Sequence, residues 1–179
     1  MQGYGKGRSH MQLARTLTAA ALALALGATV AAAQKATPLE QYKDWGAYAF
    51  SAGGGKVCYA ISKPTAKEPG DRNHGDVFFF VTHRPSEKVR NEASLLVGYT
   101  FREGSPVTVD IDGTKYRMFS KGDGAWVENA AEEGRLIGAM KAGHGMTVSG
   151  TSSRGTDTKY TFSLSGVTAA LGRIDKECN

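Results

Sequence analysis

Residues 107–118, which run Val107-Thr-Val-Asp-Ile-Asp-Gly-Thr-Lys-Tyr-Arg-Met118, constrain the fold more than any other stretch of the chain. Asp112-Gly113 is a two-residue hairpin turn, because both positions tolerate the positive φ that such a turn demands. With the turn fixed there, Ile111 faces Thr114, Val109 faces Tyr116 and Val107 faces Met118 on one apolar side. Asp110 then faces Lys115 and Thr108 faces Arg117 on the other. A slip of one residue destroys this sorting, so the register is specified.

The same logic extends along the chain. Trp45, Tyr48 and Phe50 mark a strand that ends at the Gly53-Gly54-Gly55 turn, and residues 57–61 make another. Residues 63–76 carry Pro64, Pro69-Gly70 and Asn73-His74-Gly75 and read as a long loop. Residues 76–83 are an apolar run of strand length, expected to be buried on both faces. In residues 93–101, Leu95, Val97, Tyr99 and Phe101 alternate onto one side. A second hairpin joins residues 145–151 to 159–164. Met146 and Val148 must share a face with Tyr160 and Phe162, which requires an odd number of loop residues around Arg154-Gly155.

Two short helices interrupt the strands. Asn129 caps the first, Glu132 follows three residues on and Gly143 ends it, with Leu136, Ile137 and Met140 as its buried stripe. The second carries Val167, Ala170, Leu171 and Ile174 at helical spacing, and Cys178 extends that stripe. About eight strands and two short helices predict a mainly β domain. Its expected form is a single antiparallel β-sandwich or partly closed barrel.

The first 33 of the 179 residues read as something else. They hold Lys6, Arg8 and Arg15, no acid, an uncharged apolar run from Leu17 to Val30, and the small-residue end Ala31-Ala32-Ala33. That is the pattern of a secretory signal peptide, with cleavage near Ala33 and a start at Met1 or Met11. The run is too short to span a bilayer. A mature domain of residues 34–179 follows, with no transmembrane span, located in the periplasm or secreted. The formal charge of +5 then loses its three leader cations and falls to +2.

Export places Cys58 and Cys178 in an oxidising compartment, where the pair reads as a disulfide. Two free thiols or a metal pair are the alternatives, and no neighbouring histidine cluster supports the metal.

Candidate chemistry is sparse. Asp110-Ile111-Asp112-Gly113 opens like a calcium loop, but Thr114 and Lys121 stand where oxygen ligands belong, and the hairpin explains the same residues. His74, His83 and His144 share no ligand spacing, and His83 reads as an edge imidazole. His83 or His144 with a carboxylate are the residues a small hydrolase or ligand carrier would use. Residues 56–90 hold seven cations and four acids, a modest excess that suits a solvated edge or weak attraction to anionic surfaces better than a nucleic-acid groove. Trp45, Tyr48 and Trp126 are either a ligand platform or core aromatics. No metal, cofactor or catalytic set emerges.

The second half carries a pattern of segments: Lys121-Gly-Asp-Gly-Ala-Trp126, residues 136–143, residues 147–155, residues 162–171 and the closing Cys178. With Asp44-Trp45-Gly46 and Cys58 in the front half, these resemble the invasion-associated locus B family of alphaproteobacteria. The resemblance implies a small, exported, β-rich protein of the cell envelope, and the Cys58–Cys178 pair matches the family's disulfide. A family member in an intracellular pathogen is associated with entry into red blood cells. No catalytic residue carries over, so the expectation is a non-enzymatic protein that binds a protein or envelope-surface partner, with host-cell interaction as one setting.

Overall fold

The computed structural model describes residues 35–179. The leader read at residues 1–33 lies outside the described residues. Eleven strands and two helices follow one another along the chain. The front half holds β1 (Thr37–Tyr42), β2 (Trp45–Ala52), β3 (Gly55–Ser62), β4 (Ala66–Glu68), β5 (Phe78–Arg84) and β6 (Val89–Leu96). The back half holds β7 (Val107–Ile111), β8 (Thr114–Lys121), β9 (Gly124–Val127), α1 (Ala130–Ala142), β10 (Gly145–Thr151), β11 (Asp157–Ser163) and α2 (Val167–Glu177).

All eleven strands join one antiparallel sheet in the order β1-β2-β3-β5-β6-β9-β8-β7-β10-β11-β4. The mainly β expectation therefore holds, as a single sheet that stays open at β1 and β4. The sheet coils until its far ends meet. Trp45 Nε1–H donates to the Ser163 carbonyl at 2.9 Å, and Phe79 and Phe162 pack edge to face at 5.8 Å. Such coiling is the natural outcome of strand twist accumulated over many strands. It buries one continuous core on the concave side, running from Trp45, Phe79 and Leu95 to Met118, Met146 and Phe162.

The hairpin register is as expected, with Ile111 opposite Thr114, Val109 opposite Tyr116 and Val107 opposite Met118. Asp112 and Gly113 both adopt positive φ, +49° and +88°. The second hairpin pairs Met146 with Phe162 and Thr151 with Asp157, leaving the odd loop 152–156. Both helices fall where expected. The Asn129 side chain accepts the Glu132 N–H at 2.9 Å, and Leu136, Ile137 and Met140 are buried. α2 packs its Val167, Ala170, Leu171 and Ile174 stripe against β1, β2, β3 and β5.

Three expectations need correction. The strand count rises from about eight to eleven because β4 and β9 are short and β1 is largely exposed, so pairing with neighbours defines them better than their own periodicity. The 93–101 strand stops at Leu96; beyond it only Phe101 pairs, in an isolated bridge to Ser152. The apolar run at 76–83 is not buried on both faces. Phe79, Val81 and His83 point inward, while Phe78, Phe80 and Thr82 face outward and are half-buried. No described helix is long and apolar enough to cross a membrane.

Candidate functional site

The outward Phe78 and Phe80 belong to a larger pattern. Tyr48 and Phe50 on β2, Tyr59 and Ile61 on β3, Leu96 on β6, Trp126 on β9 and Phe119 on β8 all occupy outward positions by register. Tyr48 and Tyr59 stack at 5.4 Å, Tyr59 meets Phe80 at 5.9 Å, Phe80 meets Phe78 at 5.9 Å, and Phe119 meets Trp126 at 5.9 Å. Five of these six adjacent strands thus contribute rings to an aromatic strip on the solvent side of the sheet, and β6 contributes Leu96. Ordinary sheets keep one face polar, so a solvent-facing strip of this extent is the candidate interaction surface.

Two glycines shape it. A β-carbon at Gly46 would meet the Tyr48 ring at 2.8 Å, and one at Gly124 would meet the Trp126 ring. In each strand the ring two residues on lies over the glycine, which covers exposed backbone and spreads the ring along the sheet. A hollow of about 380 Å³ opens on the strip, floored by Tyr48, Tyr59, Ile61 and Phe78 and rimmed by Gln41, Asp44 and Lys63. The Lys63 ammonium sits 5.3 Å over the Phe78 ring. Burial, with the neighbouring Tyr48 hydroxyl, holds the Tyr59 phenol above its ordinary range, so it stays protonated at neutral pH.

The other half of the outer face is different in kind. Thr108, Thr147, Ser149, Lys159 and Thr161 point outward from β7, β10 and β11. A shallow groove of about 510 Å³ there is lined by Ser149, Thr151, Asp157, Lys159 and Glu68. The molecule therefore presents an aromatic side and a hydroxyl side.

The cysteines are joined. Cys58 on β3 and Cys178 at the end of α2 form a disulfide with Cα atoms 6.0 Å apart, and both residues are buried. His83 lies opposite Cys58 on β5 and is 1% exposed, not the edge imidazole expected. Its Nδ1 accepts the Asn91 N–H at 3.0 Å, which leaves the proton on Nε2 to donate to Asp175 at 2.9 Å. Arg90 donates to the same Asp175 oxygen at 2.9 Å. Both ring nitrogens are thus engaged, and neither faces an open hollow.

His144 is the reverse case. It is almost fully exposed, with Nδ1 3.5 Å from Asp112, and its backbone N–H donates to that carboxylate at 3.0 Å. That backbone bond, more than the imidazole, holds the Asp112 carboxyl below its usual range. Asp110 accepts the Gly113 N–H at 2.9 Å, so one acid of the calcium-like segment serves the turn and the other ties it to His144 ahead of β10. No group of three or more potential metal ligands converges among the described residues. His74 is buried in a chain that spacing could not reveal. Its Nε2–H donates to the Pro69 carbonyl and its Nδ1 lies 2.9 Å from the Tyr160 hydroxyl. That hydroxyl lies 3.1 Å from Tyr99, which reaches Thr158 at 2.6 Å. Burial and the Tyr99 hydrogen bond push the Tyr160 phenol far upward, so this network is polar structure inside the core. Of the three aromatics weighed as a platform, Trp45 is fully buried, whereas Tyr48 and Trp126 are on the strip.

Comparison with known proteins fits this architecture. The family model described as invasion associated locus B (IalB) protein matches residues 45–175. The crystal structure of invasion associated protein B from Bartonella henselae is similar to this chain with a TM-score of 0.55 and 17% identity, over 80% of this chain and 99% of that one. At that identity the likeness is one of fold. No curated protein sequence matches the chain.

Proposed function

Because this chain belongs to the invasion associated locus B family, we propose that it acts as an exported, non-enzymatic protein of the cell envelope whose aromatic sheet face binds a protein or surface partner. The observation that carries the reading is the aromatic strip on the outer face of β2, β3, β5, β9 and β8. Several further observations support it. The leader-like residues 1–33 suit export to the periplasm or beyond. The Cys58–Cys178 disulfide suits an oxidising compartment. His83 has both nitrogens committed to structural bonds, and His144 and Asp112 have no hydroxyl or thiol among their described hydrogen-bond partners, which weighs against the hydrolase alternative. The family's name associates relatives with invasion, and a role at the host-cell surface is the part of the proposal that the partner's identity decides.

In-cell photo-crosslinking tests it. A crosslinking residue at Phe80 is expected to give discrete adducts with a protein or lipid, and one at Ser149, on the hydroxyl side, none. Adducts at both positions alike, or at neither, would overturn the assignment of the aromatic face.

A further inference from the structure

Four of the seven cations between residues 56 and 90 are ion-paired, and Lys63, Lys67 and Lys88 have no ion pair among the described residues. Lys56 pairs with Glu177 at 2.6 Å, Arg72 with Asp71 at 3.8 Å and Arg90 with Asp175 at 2.9 Å. Arg84 is shared between Glu87 and Glu92. The positive charge left open on the aromatic face is Lys63, over the Phe78 ring, and the cations of β8. There Arg117, Phe119 and Lys121 alternate outward, and neither cation has an ion-pair partner among the described residues.

This run meets the most exposed large apolar residues among those described. Phe119 is 41% exposed and Leu96 is 38% exposed, and no other large apolar residue among those described is classed as exposed. Trp126 lies between them by register. It is opposite Phe119, and its ring covers Gly124, which pairs with both Leu96 and Lys121. Of the outward strand positions on the six strands of this face, Glu92 is the one acid, and Arg84 holds it through two hydrogen bonds of 3.0 and 2.7 Å. Asp123 and Glu128, exposed just before and just after β9, and Asp44 in the β1–β2 turn are acids at the rim.

The corner lies on the convex side, because the sheet coils its other face around the core, and neither hollow of the outer face is lined by its residues, so it offers no pocket for a small ligand or a protein anchor. Cations beside Trp, Phe and Leu on a convex surface match a different target: anionic charge over apolar depth, which is the headgroup region of a bilayer. We propose that the corner formed by β8, β9 and β6 docks the protein on an anionic phospholipid bilayer, with Phe119, Trp126 and Leu96 entering the interface and Arg117 and Lys121 on the lipid phosphates. The proposal rests on the partner-binding reading above and names the surface that the face meets.

The test uses the chain expressed with its leader and purified from the periplasm. It is floated with vesicles of phosphatidylglycerol and phosphatidylcholine, and with vesicles of phosphatidylcholine alone. Binding is expected to the first and not the second, to weaken at high salt, and to shift Trp126 emission to the blue while the core Trp45 stays constant. Each basic residue near an anionic leaflet strengthens binding roughly fivefold, so the Arg117→Glu/Lys121→Glu variant loses at least about tenfold. A Phe119→Ser/Leu96→Ser variant loses the emission shift. No flotation with anionic vesicles, or flotation that both variants retain, overturns the proposal. So does a dimer in solution that Phe119→Ser dissociates, which would make a second copy the occupant. If vesicles fail while crosslinking from Phe80 still yields protein adducts, the lipid assignment falls and the partner reading stands. If both fail, both fall.

Discussion

At the scale of single residues, the last turn of α2 places two acids, Asp175 and Glu177, at a helix C-terminus, where the helix dipole disfavours negative charge. The fold offsets this with cations: Lys56 from β3 and Arg173 from one turn back on α2 pair with Glu177, and Arg90 from β6 pairs with Asp175. The Lys56 and Arg173 hydrogen bonds hold the Glu177 carboxyl below its usual range. A depressed folded-state pKa stabilises the protein above the ordinary carboxylate range and loses that contribution as pH falls through the folded value. Wild type is therefore expected to be more stable than Glu177→Gln at neutral pH, with the gap closing as denaturant melts are repeated from about pH 6 to about pH 3. A gap independent of pH would show that the pair contributes packing and not charge. These contacts were invisible in sequence for a definite reason. His83 sits beside Arg84, which suggests an exposed edge, yet a register shift between Thr82 and Arg84 and the arrival of α2 bury it. Its partners Asn91 and Asp175 lie eight and 92 residues away.

At the scale of elements, what the sequence reveals is whatever is decided locally. The 107–118 hairpin, the odd loop of the second hairpin and the Asn129 cap of α1 each depend on neighbours a few residues apart, and all three are as expected. The start of α2 is the contrasting case. Gly166 takes φ +94°, and a β-carbon there would collide with the Tyr42 carbonyl from the far end of the chain. The Asp44 N–H donates to the Ser165 carbonyl at 3.3 Å at the same junction, so the β1–β2 turn and the α2 start are one packed unit. Gly166→Ala is expected to cost about 2 kcal/mol or more, from the strained φ alone and further from the backbone collision. Gly134→Ala in α1, where a β-carbon meets open space, is expected to be neutral or stabilising. Chemical denaturation of the two variants side by side checks this, and equal effects would refute the role given to Tyr42.

At the scale of the whole molecule, the aromatic strip was half legible. The sequence points to Tyr48 and Trp126 but predicts burial for Phe78 and Phe80, because an unbroken apolar run looks the same whether its second face meets a helix or solvent. Only the pairing order of the sheet, with β9 and β8 placed beside β6, aligns Phe119 and Trp126 with the front-half aromatics. The Cys58–Cys178 bond is the opposite: two residues and an inference of export suffice for it, and its energetic role is global. It closes a span of 120 residues and ties α2, the element that covers β2 and β3, to the sheet. The loop-entropy account gives roughly 4–5 kcal/mol for a closure of this length, an upper figure because native strain and residual structure in the unfolded chain subtract from it. Cys58→Ala/Cys178→Ala, or reduction of the wild type, is therefore expected to remove about 2–4 kcal/mol in urea melts. Amide exchange at Ala170, Leu171 and Ile174 should then rise before exchange in β7 and β8, since α2 loses its covalent tether while the hairpin loses nothing. Uniform loss of protection across helix and hairpin would mean that the bond acts only on the unfolded chain.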